Sequence, residues 1–163
     1  MSTLWSAVYK VFFDKIQKDT EFFAYNNIPN QEAFEIALER SKGYLKEAVS
    51  QLTLCCSPDI NFNDYDDVAE VFNFELTNVE IDLLAELMRE RYFDKDLSLL
   101  KAFQVRFSPK DLNVFSPAAE RNTFTSMLKD IKKDNELSIS RYISRDRTTG
   151  KLKIINFSQY YND

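Results

Sequence analysis

The chain has 163 residues, with 26 acidic and 21 basic side chains, a net charge of −5, no His, two Gly, two Cys, and 14 Phe and 8 Tyr beside one Trp. This length fits one compact domain plus arms, and the absence of His removes Ser-His and Cys-His nucleophile pairs, an imidazole base and every His-containing metal site. Gly43 and Gly150 alone cannot write a dinucleotide fingerprint or a Walker A loop, and adjacent Cys55 and Cys56 form neither an ordinary disulfide nor a C-x-x-C pair, the pattern of a reducing compartment.

No segment has the order of a signal peptide, and no apolar run is long enough to span a bilayer, so the expectation is a soluble, non-membrane chain. Residues 4–17 predict a helix whose apolar side chains, Trp5, Tyr9, Phe12 and Phe13 among them, cover roughly 240° of the wheel where a surface helix needs about 100°. The surplus points to oligomer contacts through Trp5, Tyr9, Phe12 and Phe13; the alternative is a helix buried centrally in its own bundle. Asn30 is the expected N-cap of a helix to about Leu52, with Phe34, Ala37, Leu38, Ser41, Leu45, Ala48, Val49 and Leu52 as its buried stripe. Gly43 interrupts this helix, either for close helix contact or for no structural reason.

Residues 54–75 are non-periodic, acidic and aromatic, the expected form of a contact-making insertion. Within them Asp59, Asn61, Asn63 and Glu70 fall at positions 1, 3, 5 and 12 of a calcium loop. Asp64 stands where that loop needs Gly, which makes the four residues weak metal candidates and no metal or other cofactor the expectation. Pairs such as Asp64/Asp66 and Asp94/Asp96 lack a neighbouring nucleophile or phosphate cradle and read as solvated charges.

Leu76-Thr77-Asn78-Val79-Glu80-Ile81 is a capping box with a hydrophobic staple. It opens a helix to about Phe93 with Ile81, Leu84, Ala85, Met88 and Tyr92 on one face, and Leu97, Leu100 and Phe103 belong to a following helical segment. Ser116-Pro117 opens another helix, with Phe124, Met127, Leu128, Ile131 and Ile139 along its stripe toward residue 138. Residues 140–145 and 151–157 are β-capable runs around Thr148-Thr149-Gly150, the pattern of a hairpin or extended arm. Over 141–153 five cations, Arg141, Arg145, Arg147, Lys151 and Lys153, oppose only Asp146, a net +4 that leaves −9 on the remainder. These five are the expected partner-binding residues; the alternative is a hairpin merely solubilised by its charges.

The expected fold is thus mainly α: a four- to five-helix adaptor-like bundle over residues 1–138, with loop 54–75 as a contact insertion and a C-terminal β-hairpin or extended arm over 139–163. Leu76-Thr77-x-x-Glu80-Ile81-x-x-Leu84-Ala85-x-Leu87-Met88-x-x-x-Tyr92, followed by Lys110-Asp111-x-x-x-Phe115-Ser116-x-Ala118, resembles the head-to-tail connector (adaptor, or neck) proteins of tailed bacteriophages over roughly residues 62–140. The resemblance implies a non-enzymatic virion protein, assembled in the host cytoplasm, whose identical copies, twelve by expectation, form a homo-oligomeric ring beneath the portal. It further implies contact with the portal protein and another neck or tail protein, and a channel that DNA crosses without sequence recognition. A helical binding module using the 59–70 loop, and a small enzyme of unfamiliar type, are the alternatives from other classes.

Overall fold

The computed structural model describes residues 2–16, 29–55, 58–106 and 118–153. Four helices carry the fold: α1 (Trp5–Ile16), α2 (Asn30–Cys55), α3 (Asn78–Arg106) and α4 (Ala118–Ile143). Three two-residue strands, β1 (Thr3–Leu4), β2 (Tyr65–Asp66) and β3 (Val71–Phe72), form an antiparallel sheet in the order β1-β3-β2. The protein is mainly helical, with a small sheet and a C-terminal hairpin.

α3 is the central helix, and α1, α2 and α4 all pack against it. Its sequence dictates this position: Leu83, Leu84, Ala85, Leu87, Met88 and Tyr92 are buried, and they occupy more of the wheel than one apolar stripe allows. It is also one helix of 29 residues rather than a helix to Phe93 and a separate segment. No Gly or Pro interrupts residues 78–106, so the change of face at Phe93 does not break the hydrogen-bond ladder.

α1 lies on α3 and supplies the largest rings of the core. Trp5, Tyr9 and Phe12 are buried and Phe13 is partly buried against the same cluster. The rings pair at edge-to-face or tilted angles: Trp5 with Tyr65 at 5.2 Å, and Phe12 with Tyr44 at 6.0 Å and Tyr92 at 6.4 Å. Each such pair adds about 0.5–1.5 kcal/mol beyond the area it buries. Packing outweighs hydrogen bonding here, since Trp5 Nε1 and Tyr9 Oη are buried without a partner among the described residues.

The 54–75 segment supplies the sheet that closes one end of this core. Phe72 pairs locally with Tyr65 and, across a long sequence distance, with Thr3, and Phe62 and Phe72 are fully buried. The strand at Thr3–Leu4 moves the start of α1 to Trp5, one residue later than the wheel predicts. Glu70 adopts φ 52°, and its carbonyl accepts the Trp5 amide at 2.9 Å, which fixes the loop to the start of α1.

Buried polar groups then lock the bundle's register. Glu90, almost fully buried, accepts Gln51 Nε2 at 3.1 Å from α2 and Asn135 Nδ2 at 2.7 Å from α4. Arg91 donates to Gln51 Oε1 at 3.0 Å, so one network joins three helices. On α2, Ala37, Leu45, Ala48, Val49 and Leu52 are buried as their spacing predicts, whereas Phe34 is half exposed and meets the partly buried Phe13. Gly43 marks no close approach among the described residues, because a Cβ there meets none of them within 4 Å.

Candidate functional site

The most heavily built polar site lies where the C-terminal hairpin meets the start of α3. Thr77 caps the helix: the Glu80 amide donates to Thr77 Oγ1 at 3.3 Å and the Thr77 amide donates to Glu80 Oε2 at 2.7 Å. Glu80 is nevertheless completely buried, and a buried carboxylate needs more than a cap. Arg147 supplies it, donating through Nε to Oε1 at 2.6 Å and through Nη2 to Oε2 at 2.9 Å, the fork-to-fork geometry that suits guanidinium and carboxylate. Tyr142 adds its hydroxyl to Oε1 at 2.7 Å, and Arg147 Nη2 also donates to the Glu75 carbonyl.

These contacts set the ionisation of the site. Burial by itself raises the Glu80 carboxyl, but the bonds from Arg147, the Thr77 amide and Tyr142 hold it below the usual range. Burial and the hydrogen bond to Glu80 push the Tyr142 hydroxyl upward, and the Glu80 bond raises Arg147 further. The node is therefore a closed ion pair at any pH near neutrality.

The hairpin itself is set by local turn chemistry. Asp146 Oδ1 accepts the Thr149 amide at 2.7 Å, the Thr149 hydroxyl at 2.8 Å and the Thr148 amide at 3.1 Å, which lowers its pKa, while Gly150 takes φ 67°. Arg145 then bridges to Leu152. The preceding helix reaches Ile143, so residues 140–143, which read as β-capable, are helical. Tertiary packing overrides propensity there: Ile139 is buried in the core and Tyr142 reaches Glu80. Residues 154–157 of the second β-capable run, Ser116 and Pro117, and Lys110-Asp111 with Phe115 lie outside the described residues.

Of the five cations expected to bind a partner, two are spent within the chain. Arg147 holds Glu80, and Lys153 Nζ lies 2.7 Å from Asp59 Oδ1. The basic segment is thus folded back onto the body rather than projecting from it. Arg145 donates to the Gly150 carbonyl at 2.9 Å, and Arg141, Arg145 and Lys151 are exposed without a carboxylate partner among the described residues.

The rings expected at an oligomer interface, Trp5, Tyr9, Phe12 and Phe13, sit in the chain's own interior, as described above. Core packing covers most of the wide apolar face of α1, which corrects the assignment of Trp5, Tyr9 and Phe12 as contacts with a second copy, since these buried rings have no surface left to offer one, while Phe13 is partly buried against the same cluster. The four calcium-loop positions do not converge. Asp59 pairs with Lys153, Asn61 Oδ1 accepts the Asn63 amide at 3.0 Å, Asn63 Nδ2 donates to Thr53 Oγ1 at 3.4 Å, and Glu70 faces Lys42 at 3.4 Å. Among the described residues no group of three or more Asp, Glu, Cys or His side chains is placed to hold a metal ion. Asp94, from one carboxylate pair, is 2.8 Å from Lys132.

Between α3, α4 and the hairpin runs a cleft of about 370 Å³, lined by Val79, Leu83, Arg141, Tyr142, Arg145 and Arg147 among others. Two carboxylates also line it, Asp82 and Glu86, and Lys15 from α1 answers both at 2.7 and 2.8 Å. Sequence reasoning singled out Glu80 as a cap but missed its second role as the hairpin's anchor. No local signal reveals that role, because Arg147 stands 67 positions away. No helix among the described residues is long and apolar enough to cross a membrane. Comparison with protein-family models, curated proteins and solved structures finds no match to this chain.

Proposed function

We propose that the protein is a structural component of the head-to-tail connector of a tailed bacteriophage. It acts as a helical adaptor whose copies form a ring beneath the portal, extend the DNA channel and dock the next neck or tail component. The observation that carries this reading is the place of the segment resembling that family. The helix opened by Thr77 and Glu80 is the central helix of the bundle, and the same Glu80 fastens the basic C-terminal hairpin to the body.

A subunit that joins large neighbours works by geometry. It needs a body that keeps its shape and an attachment segment held at a fixed place, since ordering such parts beforehand removes a cost otherwise met on binding. The buried Glu90 network supplies the first and the Glu80–Arg147 pair the second. Ring symmetry then multiplies modest contacts into avidity. An acidic body suits a channel, because strong pairing with phosphates would hold DNA instead of letting it slide. Mixing the chain with its portal and averaging negative-stain images tests the proposal: rings stacked on the portal are expected, with twelve copies, and images of portal alone beside free monomers would overturn it.

A further inference from the structure

Two surface features among the described residues complement one another. One is the tip of the β2–β3 loop. Val68 is 95% exposed there, although the backbone around it is tightly built: Asp66 Oδ1 accepts the Val68 amide at 2.8 Å and the Ala69 amide at 3.0 Å, and Glu70 holds φ 52°. Lys42 and Lys46 of α2 pin the loop by pairing with Asp67, and Lys42 also meets Glu70. Asp64 and Asp66 are left without a cation among the described residues. The loop therefore presents one apolar side chain beside two carboxylates that meet neutral donors and no cation among the described residues, Asp66 the turn amides and Asp64 the Asn73 side chain at 2.7 Å.

The other feature is the cleft between α3, α4 and the hairpin. Val79, Leu83 and Tyr142 give it apolar lining, and its size suits a side chain with its flanking backbone. Its carboxylates are already engaged, Asp82 and Glu86 by Lys15 and Asp146 by the turn amides. Arg141 and Arg145 line it without a carboxylate partner among the described residues, and with Asp146, which has no cation partner among them, they leave the cleft a net positive charge. The cleft and the loop tip share no residue, so a contact between them on two copies is head-to-tail.

Resting on the ring assembly proposed above, we infer that the cleft receives the 64–70 loop of a second copy of this chain, with Val68 entering beside Val79, Leu83 and Tyr142 and with Asp64 and Asp66 facing Arg141 and Arg145. The loop carries two carboxylates without a cation and the cleft a net positive charge from Arg141, Arg145 and Asp146, so the two sides are opposite in sign, and an apolar side chain faces an apolar lining. Such complementarity sets register and excludes wrong pairings. The contact is heterologous, because it joins two different patches, and a heterologous contact closes into a ring when its rotation permits.

Two exposed variants separate the halves of the contact without touching the core: Val68→Asp, and Arg141→Glu with Arg145→Glu. Circular dichroism melts establish that each is folded like the wild type. Native mass spectrometry under the conditions where the wild type forms rings, with and without portal, then reads assembly. Each variant alone is expected to stay monomeric, its self-association weakened by about 30-fold or more, the scale of a central interface residue. An equimolar mixture of the two is expected to give one-to-one dimers and nothing larger, since only one of the two possible junctions remains intact. If both variants form rings like the wild type, the inference is overturned while the adaptor reading stands. If the Arg variant assembles normally and fails only to bind portal, the cleft serves a different partner and the inference is again overturned. If the wild type itself never assembles, both fall.

Discussion

Replacing Arg147 with Met keeps the apolar stem and removes the guanidinium that answers a fully buried carboxylate. Breaking a buried pair from one side costs about 3–5 kcal/mol, because the remaining charge is stranded. The value here lies below that range. The Arg147 side chain is 24% exposed, and Glu80 keeps the Tyr142 hydroxyl and the Thr77 amide, so the expected loss is about 2–3 kcal/mol. For a chain of this size that lowers the melting temperature by about 4–12 °C. Glu80→Gln retains the capping acceptor and frees a cation that can turn to water, so it costs less, about 1–2 kcal/mol. Urea unfolding of both single variants and the double variant at neutral pH measures the coupling, expected to be at least about 1 kcal/mol.

The same pair predicts an acid dependence. The folded-state pKa of Glu80 lies below its ordinary value of 4.5, so its contribution is fully present above pH 4.5 and is lost as pH falls through the lower folded value. The stability difference between wild type and Glu80→Gln should therefore narrow only below that point. A penalty for Arg147→Met under about 0.5 kcal/mol, or a coupling near zero, would refute the assignment of this pair as the hairpin's anchor.

Three further outcomes follow from particular contacts. Gly43→Ala should stabilise the protein by about 0.5–1 kcal/mol in thermal unfolding, since a Cβ there meets open space in the middle of α2; destabilisation would mean that a helix does approach at Gly43. Phe12→Ala should cost about 3–5 kcal/mol, enough to unfold much of the population at moderate temperature, because its ring is fully buried among Phe13, Tyr44 and Tyr92. Millimolar calcium or a chelator should leave the melting curve unchanged, because the 59–70 side chains bind their own neighbours; a rise with calcium would revive the ion-binding module.

Signals confined to one or two helical turns were legible in the sequence. The Thr77–Glu80 box forms with both of its hydrogen bonds, and the 3,4 spacing of Leu45, Ala48, Val49 and Leu52 marks a face that is buried. Features fixed by distant partners were not legible. Thr3 and Leu4 become a strand because Phe72 and Val71 pair with them, and nothing in a four-residue window reveals that. Residues 140–143 carry β-capable side chains yet stay helical, because Ile139 and Tyr142 gain more from the core and from Glu80. The division of charge between body and arm was visible by counting, but its meaning was not. Arg147 and Lys153 look like free cations until Glu80 and Asp59 are found beside them.

The width of the α1 apolar face shows the same limit from the other side. A wheel reports how much surface must be covered and not what covers it. Here the sheet supplied by residues 65–72, together with α2 and α3, is the cover, through Tyr65, Phe72, Tyr44 and Tyr92.

The adaptor proposal is tested most directly by the native mass of the species formed when the full chain is mixed with its portal protein. The account predicts a single discrete complex containing the portal and a whole ring of this chain, twelve copies by expectation. A spectrum containing only the portal's mass and the mass of one free chain would contradict it.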